Sequence, residues 1–507
     1  MTKRITPRSH LLLCCGRAAI ILAGLFATVC VLLALNWPFT SKRVTRSWQQ
    51  ILQSKVQTGH FQKIFFPHPG YIAEGVVITR NSPPGTPPLA GAHKVICRAS
   101  WFALLTVTHR VDQLLLEGVQ VSVPPHLPPP VRSGANKAIK TTVTELVADG
   151  AVLQVLPRHA GGTPLRFDFS QLTIHELGRD KPMRFRTIMH TPEPPGKIAA
   201  SGSFGPFAKR PVGQNPASGT FQFTGADLGC FHVIAGTLSS AGSFAGTLEH
   251  LQVRGQTEIP NFEVTRSHHS VGLTAEYAAI VNGTTGDVDL NSARAHLLHT
   301  TITAHGAISG EHGKTVSLEM AAQDARVEDV LRLFVTADQP PLAGPITLRA
   351  HAVVPPEHRP FLERLRLTGE FNISDAEFSH APTRSKVDVL SARARRQKHD
   401  VQVAPSDLKA AVTLHDAVAT LSQASFRVPG AIAQGGGTYN VETQAIDLRG
   451  KLAMHASLSK AAGGIKSVFL LPLDPFFKKG FSGAVLPVRM TGTYSHPVFK
   501  VSLRQQK

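Results

Sequence analysis

Acidic residues are scarce in this 507-residue chain: 34 Asp and Glu stand against 53 Lys and Arg, a formal net charge of +19. Trp and Tyr are scarcer, at 3 and 4 residues. With few carboxylates and few aromatic platforms, a polysaccharide-acting enzyme is a poor reading. Three of the 5 cysteines, Cys14, Cys15 and Cys30, fall in or beside one apolar run, so only Cys97 and Cys230 belong to the remaining body. Two cysteines make no disulfide framework; a Cys97–Cys230 bridge in an oxidising compartment is the lesser expectation, and two buried thiols the greater. Catalytic signatures are absent: there is no G-x-S-x-G elbow, Walker loop, H-E-x-x-H or G-x-G-x-x-G. Ser457-Leu458-Ser459-Lys460 matches S-x-x-K without its companion motifs. Nor is there a basic stripe interleaved with aromatics. Lys and Arg are scattered, or clustered briefly as in Arg393-Ala394-Arg395-Arg396-Gln397-Lys398, which argues against nucleic acid as a partner. Scattered positive charge suits a body held near anionic headgroups, each basic residue contributing about 1 kcal/mol at the surface.

What is present begins with Ala18 to Leu35, eighteen residues without a charge. At about 1.5 Å per residue, a helix of that length spans roughly 27 Å, close to the thickness of a bilayer's hydrocarbon core. A transmembrane helix is expected over residues 11–36, after a short cytoplasmic tail over residues 1–10. Ala18, Ile20, Ile21, Leu22, Leu25, Phe26, Val29, Val31, Leu32, Leu33 and Leu35 form its apolar surface. A cleaved leader is the rival reading, but Ala34-Leu35-Asn36-Trp37-Pro38 puts bulky residues where a peptidase needs small ones. Trp37 sits where an interfacial aromatic is expected. Basic residues flank both ends, so charge alone leaves the orientation nearly tied. No other run approaches this length.

The body is rich in turn formers, with 42 Gly and 36 Pro, and its apolar residues alternate, the period of a strand with one apolar face. Val119, Val121 and Val123 alternate with Gln120 and Ser122; Phe221 and Phe223 with Thr220, Gln222 and Thr224; Val316, Leu318 and Met320 with Ser317 and Glu319. Leu452 and Met454 continue the theme near the C-terminus. Helical spacing occurs twice. Trp48, Ile51, Leu52 and Val56 predict a helix over residues 45–59, and Val327, Val330, Leu331 and Phe334 predict another over residues 325–336. Ala295 to Ile308 reads as one strand. On it His296 and His299 would face opposite sides, so with His305 they do not make a metal site. Asp287 and Asp289 share a strand face without other catalytic company. No catalytic residue, metal site or cofactor is expected.

Several stretches resemble one family. Phe66-Pro67-His68-Pro69-Gly70, Glu74-Gly75-Val76-Val77-Ile78-Thr79-Arg80, Trp101 to Leu105 and Leu114 to Val121 resemble the start of AsmA-type proteins. Val281-Asn282-Gly283-Thr284-Thr285-Gly286-Asp287 is similar to their middle region. Gly437-Thr438-Tyr439-Asn440, Ile446 to Gly450 and Leu486-Pro487-Val488-Arg489-Met490 resemble their C-terminal region. The resemblance implies a mainly β protein of the AsmA/TamB-like kind: an N-terminal transmembrane helix, then an elongated, curved antiparallel β-sheet groove with a few short helices. It divides the body into an N-terminal region over residues 37–130, a middle groove over 131–380 and a C-terminal region over 381–507. It also implies an inner-membrane anchor with the bulk in the periplasm. The partners would be phospholipid acyl chains and an outer-membrane or periplasmic protein. The expected groove-lining residues are Val119, Val121, Val123, Phe221, Phe223, Val316, Leu318, Met320, Leu452, Met454, Leu486, Val488 and Met490. Ile465 to Phe477, dense in apolar residues, is read as a plug over the sheet end or a contact segment. A non-conducting scaffold whose own side chains fill the groove is the competing expectation.

Overall fold

The structure is a computed structural model. It describes residues 37–52, 54–79, 88–105, 110–123, 142–155, 165–178, 181–206, 212–309, 314–336, 338–340, 342–357, 359–379, 388, 406–454, 485–493 and 497–501. The chain forms two compact units, Met1–Arg179 and Asp180–Lys507. The boundaries expected near residues 130 and 380 fall outside the described residues, as do Ser457 to Lys460 and Ile465 to Phe477.

In the first unit, helix α1 (Ser41–Leu52) precedes β1 (Lys55–Gln57), β2 (His60–Ile64), β3 (Gly70–Thr79) and β4 (Ala90–Arg98). A short helix α2 (Trp101–Leu105) leads to β5 (Arg110–Glu117), β6 (Gln120–Val123), β7 (Thr142–Val155) and β8 (Leu165–Leu177). β3 pairs antiparallel with β1, β2 and β4. The expectation of a purely antiparallel sheet fails at β7, which runs parallel to both β5 and β6. A parallel pair cannot be joined by a tight hairpin, and β6 and β7 are well separated in sequence, Val123 ending the one and Thr142 starting the other.

Helix α1 also departs from expectation. It starts at Ser41 and ends at Leu52, and Val56 belongs to β1 opposite Ile78. Val56 is β-branched and fully buried in the unit's core, so tertiary pairing overrides its helical spacing. Val44 and Trp48 of α1 pack over Tyr71, which stacks on Phe61 with ring centroids 5.3 Å apart. Through these contacts α1 covers part of the apolar face of β1 to β4.

The second unit opens with β9 (Met183–Pro192), β10 (Pro195–Phe204), β11 (Pro216–Asp227), β12 (Ile234–Ala235), β13 (Thr237–Thr247), β14 (His250–Val264), β15 (Ser270–Val281), β16 (Val288–Leu297), β17 (Thr300–Ser309) and β18 (Thr315–Arg326). Helix α3 (Val327–Arg332), β19 (Leu342–Ala343), β20 (Pro345–Val354), helix α4 (Phe361–Arg364), β21 (Arg366–Ile373) and β22 (Glu377–Phe378) follow. β23 (Asp407–His415), β24 (Val418–Val428), β25 (Ala431–Asn440), β26 (Ala445–Met454), β27 (Val485–Thr493) and β28 (Pro497–Val501) complete it.

Among the described residues, seventeen of these strands pair antiparallel in simple succession; β12 adds to β14, and β19 with β22 forms a separate ribbon. The predicted helix over 325–336 is shorter than expected, because Ala325 and Arg326 finish β18 opposite Ile346 and Pro345. Phe334, expected on its buried stripe, is 64% exposed.

This sheet is not flat. The Arg266 guanidinium, in the turn after β14, donates to the backbone carbonyls of Val441 and Glu442, in the turn after β25. Eight strand pairings separate β15 from β25, about 38 Å in a flat sheet. A contact over one arginine side chain therefore requires strong bending and twist, the accumulated right-handed twist of each strand.

Candidate functional site

In an antiparallel ladder, directly opposed residues project to the same side of the sheet. Following the register strand by strand shows what each side carries. Ile198 faces Met189 and Phe223; Phe221 faces Ala200 and Gly242; Phe244 faces Gly219 and Val253. Val253 then meets Ala279, which meets Leu290, which meets Gly306. Gly306 opposes Leu318, Leu318 opposes Ala352, and Ala352 opposes Leu367. The series runs on through Leu414, Ala419, Tyr439, Ile446 and Gly492. One side of the second unit is apolar or small at almost every register position from β9 to β28.

The opposite side is polar and basic. Glu319 meets His351, and Gln256, Glu276 and Arg294 lie in register across three strands. On β26 and β27 the Asp447 carboxylate accepts from Arg489 Nε at 2.9 Å and Nη2 at 2.8 Å, and from Arg449 at 3.2 Å. Hydrogen bonds from Arg489 first, and then from Arg449, hold the Asp447 carboxyl down at about 2.

Burial separates the two sides. Along β11, β13, β14 and β15 most polar-side positions are exposed; on the apolar side Ala217, Ile259, Val271 and Ala279 are buried, while Phe221, Phe223, Phe244, Val253 and Leu273 are half-buried. A closed sandwich would bury those positions fully. Among the described residues, helix α3 covers the face along one edge. There Val327 and Leu331 of α3 pack with Ala322, Ile346 and Ile373, and Leu333 with Val271 and Leu297.

That edge is pinned by a buried carboxylate. Asp329 accepts from the His299 backbone N–H at 2.9 Å and from the Thr300 hydroxyl at 3.0 Å. Beside it the Glu328 carboxyl accepts from the Gly344 N–H. Partial burial pushes the Glu328 carboxyl up, but the N–H groups of Gly344 and of Glu328 itself, together with Arg326, outweigh it and leave the group below its ordinary value.

The apolar face is also levelled. Aromatic rings lie over glycines of neighbouring strands: a Cβ at Gly196 would meet Phe223 at 2.6 Å, one at Gly219 would meet Phe244 at 2.8 Å, and one at Gly255 would meet the Tyr277 hydroxyl at 2.7 Å. This aromatic-on-glycine packing lays each ring along the sheet rather than across the space above it.

The expected lining residues divide as follows. Phe221, Phe223, Val316, Leu318, Met320, Leu452, Val488 and Met490 are half-buried and occupy register positions on the one apolar side of the second unit. Met454 and Leu486 hold register positions opposite Ala431 and Leu452. In the first unit Val121 lies opposite Ala90 and Leu153, Val123 opposite Val155, and Val119 just before β6. The apolar face of that unit joins Cys97, Leu114, Leu146 and Ile174 in register. The expected anchor residues Ala18 to Leu35 lie outside the described residues, and no described helix is long and apolar enough to cross a membrane.

The histidines stay apart. His296 bonds Thr301, His299 lies 3.7 Å from Asp329, and His305 lies 3.1 Å from Glu319; no group of potential metal ligands gathers among the described residues. Asp287 accepts from Thr285, and Asp289 faces Ile280 and Ala307 in the polar-side register. Cys97 and Cys230 are both free thiols; Cys97 is buried as expected, but Cys230 is only partly so. No family model, curated protein or solved structure matches the chain.

Proposed function

We propose that this chain is an AsmA-like protein of the cell envelope whose apolar sheet face receives phospholipid acyl chains. In this reading residues 18–35 hold it in the inner membrane, its body lies in the periplasm, and it takes part in moving lipid toward the outer membrane. The observation that carries the reading is the largely apolar, partly exposed side of the second unit. Soluble proteins rarely leave so large an apolar surface without a partner. An acyl chain is a chemically matched occupant: at about 0.8 kcal/mol per CH₂, a sixteen-carbon chain costs more than 10 kcal/mol to expose to water. Sixteen strand spacings of about 4.8 Å give this face a contour near 77 Å, long enough for several lipids in file. The basic opposite side suits a body working beside anionic headgroups.

Photo-crosslinking in cells tests this. A benzophenone amino acid replacing Phe223 or Phe371, on the apolar side, is expected to give phospholipid adducts on the full chain. The same probe replacing Gln222 or Glu370, their neighbours on the polar side, is expected to give none. Absence of adduct from both apolar positions in membrane-associated chain overturns the reading in favour of a non-conducting scaffold.

A further inference from the structure

We propose that one edge of the first unit is a bilayer-docking collar, in which Phe65, Phe66, Trp101 and Phe102 seat among the headgroups of a phospholipid membrane. The register brings the four together. Ile64 at the end of β2 opposes Gly70 at the start of β3, and Gly70 opposes Arg98 at the end of β4. Phe65 and Phe66 leave the sheet at that edge, and Trp101 and Phe102 open α2 beside it. The two loops are tied to each other: the Ala99 N–H donates to the Pro69 carbonyl at 2.8 Å, and Trp101 Nε1 donates to the Pro67 carbonyl at 3.1 Å. The indole of Trp37 sits beneath, with centroid distances of 4.6 Å to Phe65 and 6.0 Å to Trp101.

Trp37 is 4% exposed, whereas Phe65, Phe66, Trp101 and Phe102 are 51%, 85%, 37% and 73% exposed. Among the described residues, four of the nine exposed large hydrophobics therefore stand at one strand-end edge of one unit. Loops that expose paired aromatics on a rigid, hydrogen-bonded base mark an interaction site. The position of the edge in the chain selects its occupant. Leu35 ends the apolar run two residues before Trp37, so Trp37 lies within about 7 Å of the point where that run ends. If residues 18–35 span the bilayer, the aromatic cluster stands at headgroup depth, where Trp in particular is favoured. Charge agrees: Lys42 and Arg43 are exposed in the first turn of α1, which has no acidic residue, and Lys63 and Arg98 are exposed at the ends of β2 and β4. Basic side chains around an aromatic patch complement anionic headgroups.

The collar rests on the membrane-anchor part of the proposed function but not on lipid entering the apolar face. The test uses full-length chain in nanodiscs of phosphatidylethanolamine and phosphatidylglycerol, with the benzophenone probe at Phe66, at Phe102 or at Gln57. Gln57 is exposed in the same unit, about 24 Å along β3 from the collar edge. Phe66 and Phe102 are expected to yield lipid adducts at least tenfold above Gln57, and to keep them when Leu318→Glu is added to disable the apolar face of the second unit. Chain that co-elutes with discs but gives no excess at Phe66 and Phe102 overturns the collar alone. Adduct to a protein in its place, when the probe is exposed in whole envelopes, assigns the edge to a protein partner and also overturns it. Chain that fails to enter discs removes the anchor and the collar together.

Discussion

The ring of Phe221 on β11 lies against Gly242 of β13: a Cβ built at Gly242 would come within 2.9 Å of Phe221 Cε1 and 2.3 Å of the Arg254 carbonyl oxygen. The two residues are directly opposed in the ladder, so the glycine is the space into which the ring folds. Gly242→Val is expected to lift the ring, strain the strand and destabilise the second unit by about 1–3 kcal/mol. Ala241→Val, one residue along on the exposed side, is expected to stay within about 0.5 kcal/mol of the parent. Denaturant unfolding of the two variants checks this, and equal losses would show that the ring does not depend on the glycine.

Asp329 is expected to be the second sensitive point. Its buried carboxylate holds the His299 N–H and the Thr300 hydroxyl, while the Thr300 oxygen accepts from the Arg326 N–H. Asp329→Ala strands these donors in a buried place, at an expected cost of about 2–3 kcal/mol. Amide exchange at His299 is expected to quicken in the same variant. Unchanged protection there would show that the turn holds without the carboxylate.

Most strands were legible because their apolar residues alternate, and the simple strand succession follows from hairpin connectivity. What escaped has identifiable causes. Ala295 to Ile308 reads as one strand, yet the chain reverses at Leu298, which takes φ +51° without a glycine because Asp329, from a distant helix, ties down the next amide. Asp416 and Ala417, at φ +48° and +58°, likewise turn β23 into β24 without glycine. Conversely, Gly219 and Gly242 lie inside strands, where a ring from the next strand uses their missing side chains. Of the candidate face, the alternation announced the apolar positions, but only the register reveals that they share one side. The exposed aromatic cluster was not legible: Phe66 and Trp101 stood in the sequence as separate motifs, and only the β2–β3–β4 register brings the two loops together.

Asp447 provides a pH signature. Arg449 and Arg489 are directly opposed across β26 and β27, and the carboxylate between them offsets their repulsion. Its pKa of about 2 lies below the ordinary aspartate value of ~3.9. The folded form thus prefers the ionised group, so its stabilising contribution is complete above about pH 4 and is lost as pH falls toward 2. Carboxyl-carbon NMR is expected to show a midpoint near 2, moving upward in Arg489→Gln. A midpoint at the ordinary value in the parent would mean that the three side chains do not pair in solution.

The two body thiols are expected to react very differently. Cys97 is 2% exposed, and burial foremost pushes its thiol up to about 12, the hydrogen bond with Tyr71 acting in the opposite direction. Cys230 is also raised, by burial and then by Glu193 and Asp227, yet it stands near the surface. Since the thiolate is the reactive form, maleimide at pH 7 is expected to modify Cys230 under native conditions and to reach Cys97 only on unfolding. Peptide mass mapping separates the sites. Early labelling of Cys97 would mean that the core beneath α1 opens readily.

The strongest demand falls on Leu318, which opposes Gly306 and Ala352 near the middle of the apolar side. Leu318→Glu places a charge where an acyl chain would lie, and an unpaired carboxylate against hydrocarbon is costly enough to exclude the chain locally. Ser317→Glu adds the same charge one residue away, on the polar side opposite Ala307 and Val353. Lipid extracted from purified full-length protein is expected to fall at least tenfold in the first variant and to match the parent in the second, a difference of about 1.4 kcal/mol or more. Circular dichroism of both variants guards against unfolding, and Leu318→Gln, neutral but polar, is expected to give an intermediate loss. Equal lipid loss from Glu at both positions would mean that net charge, not the apolar surface, governs retention. Parent protein that is folded and free of lipid would mean that the half-exposed face meets another protein and that the chain serves as a scaffold.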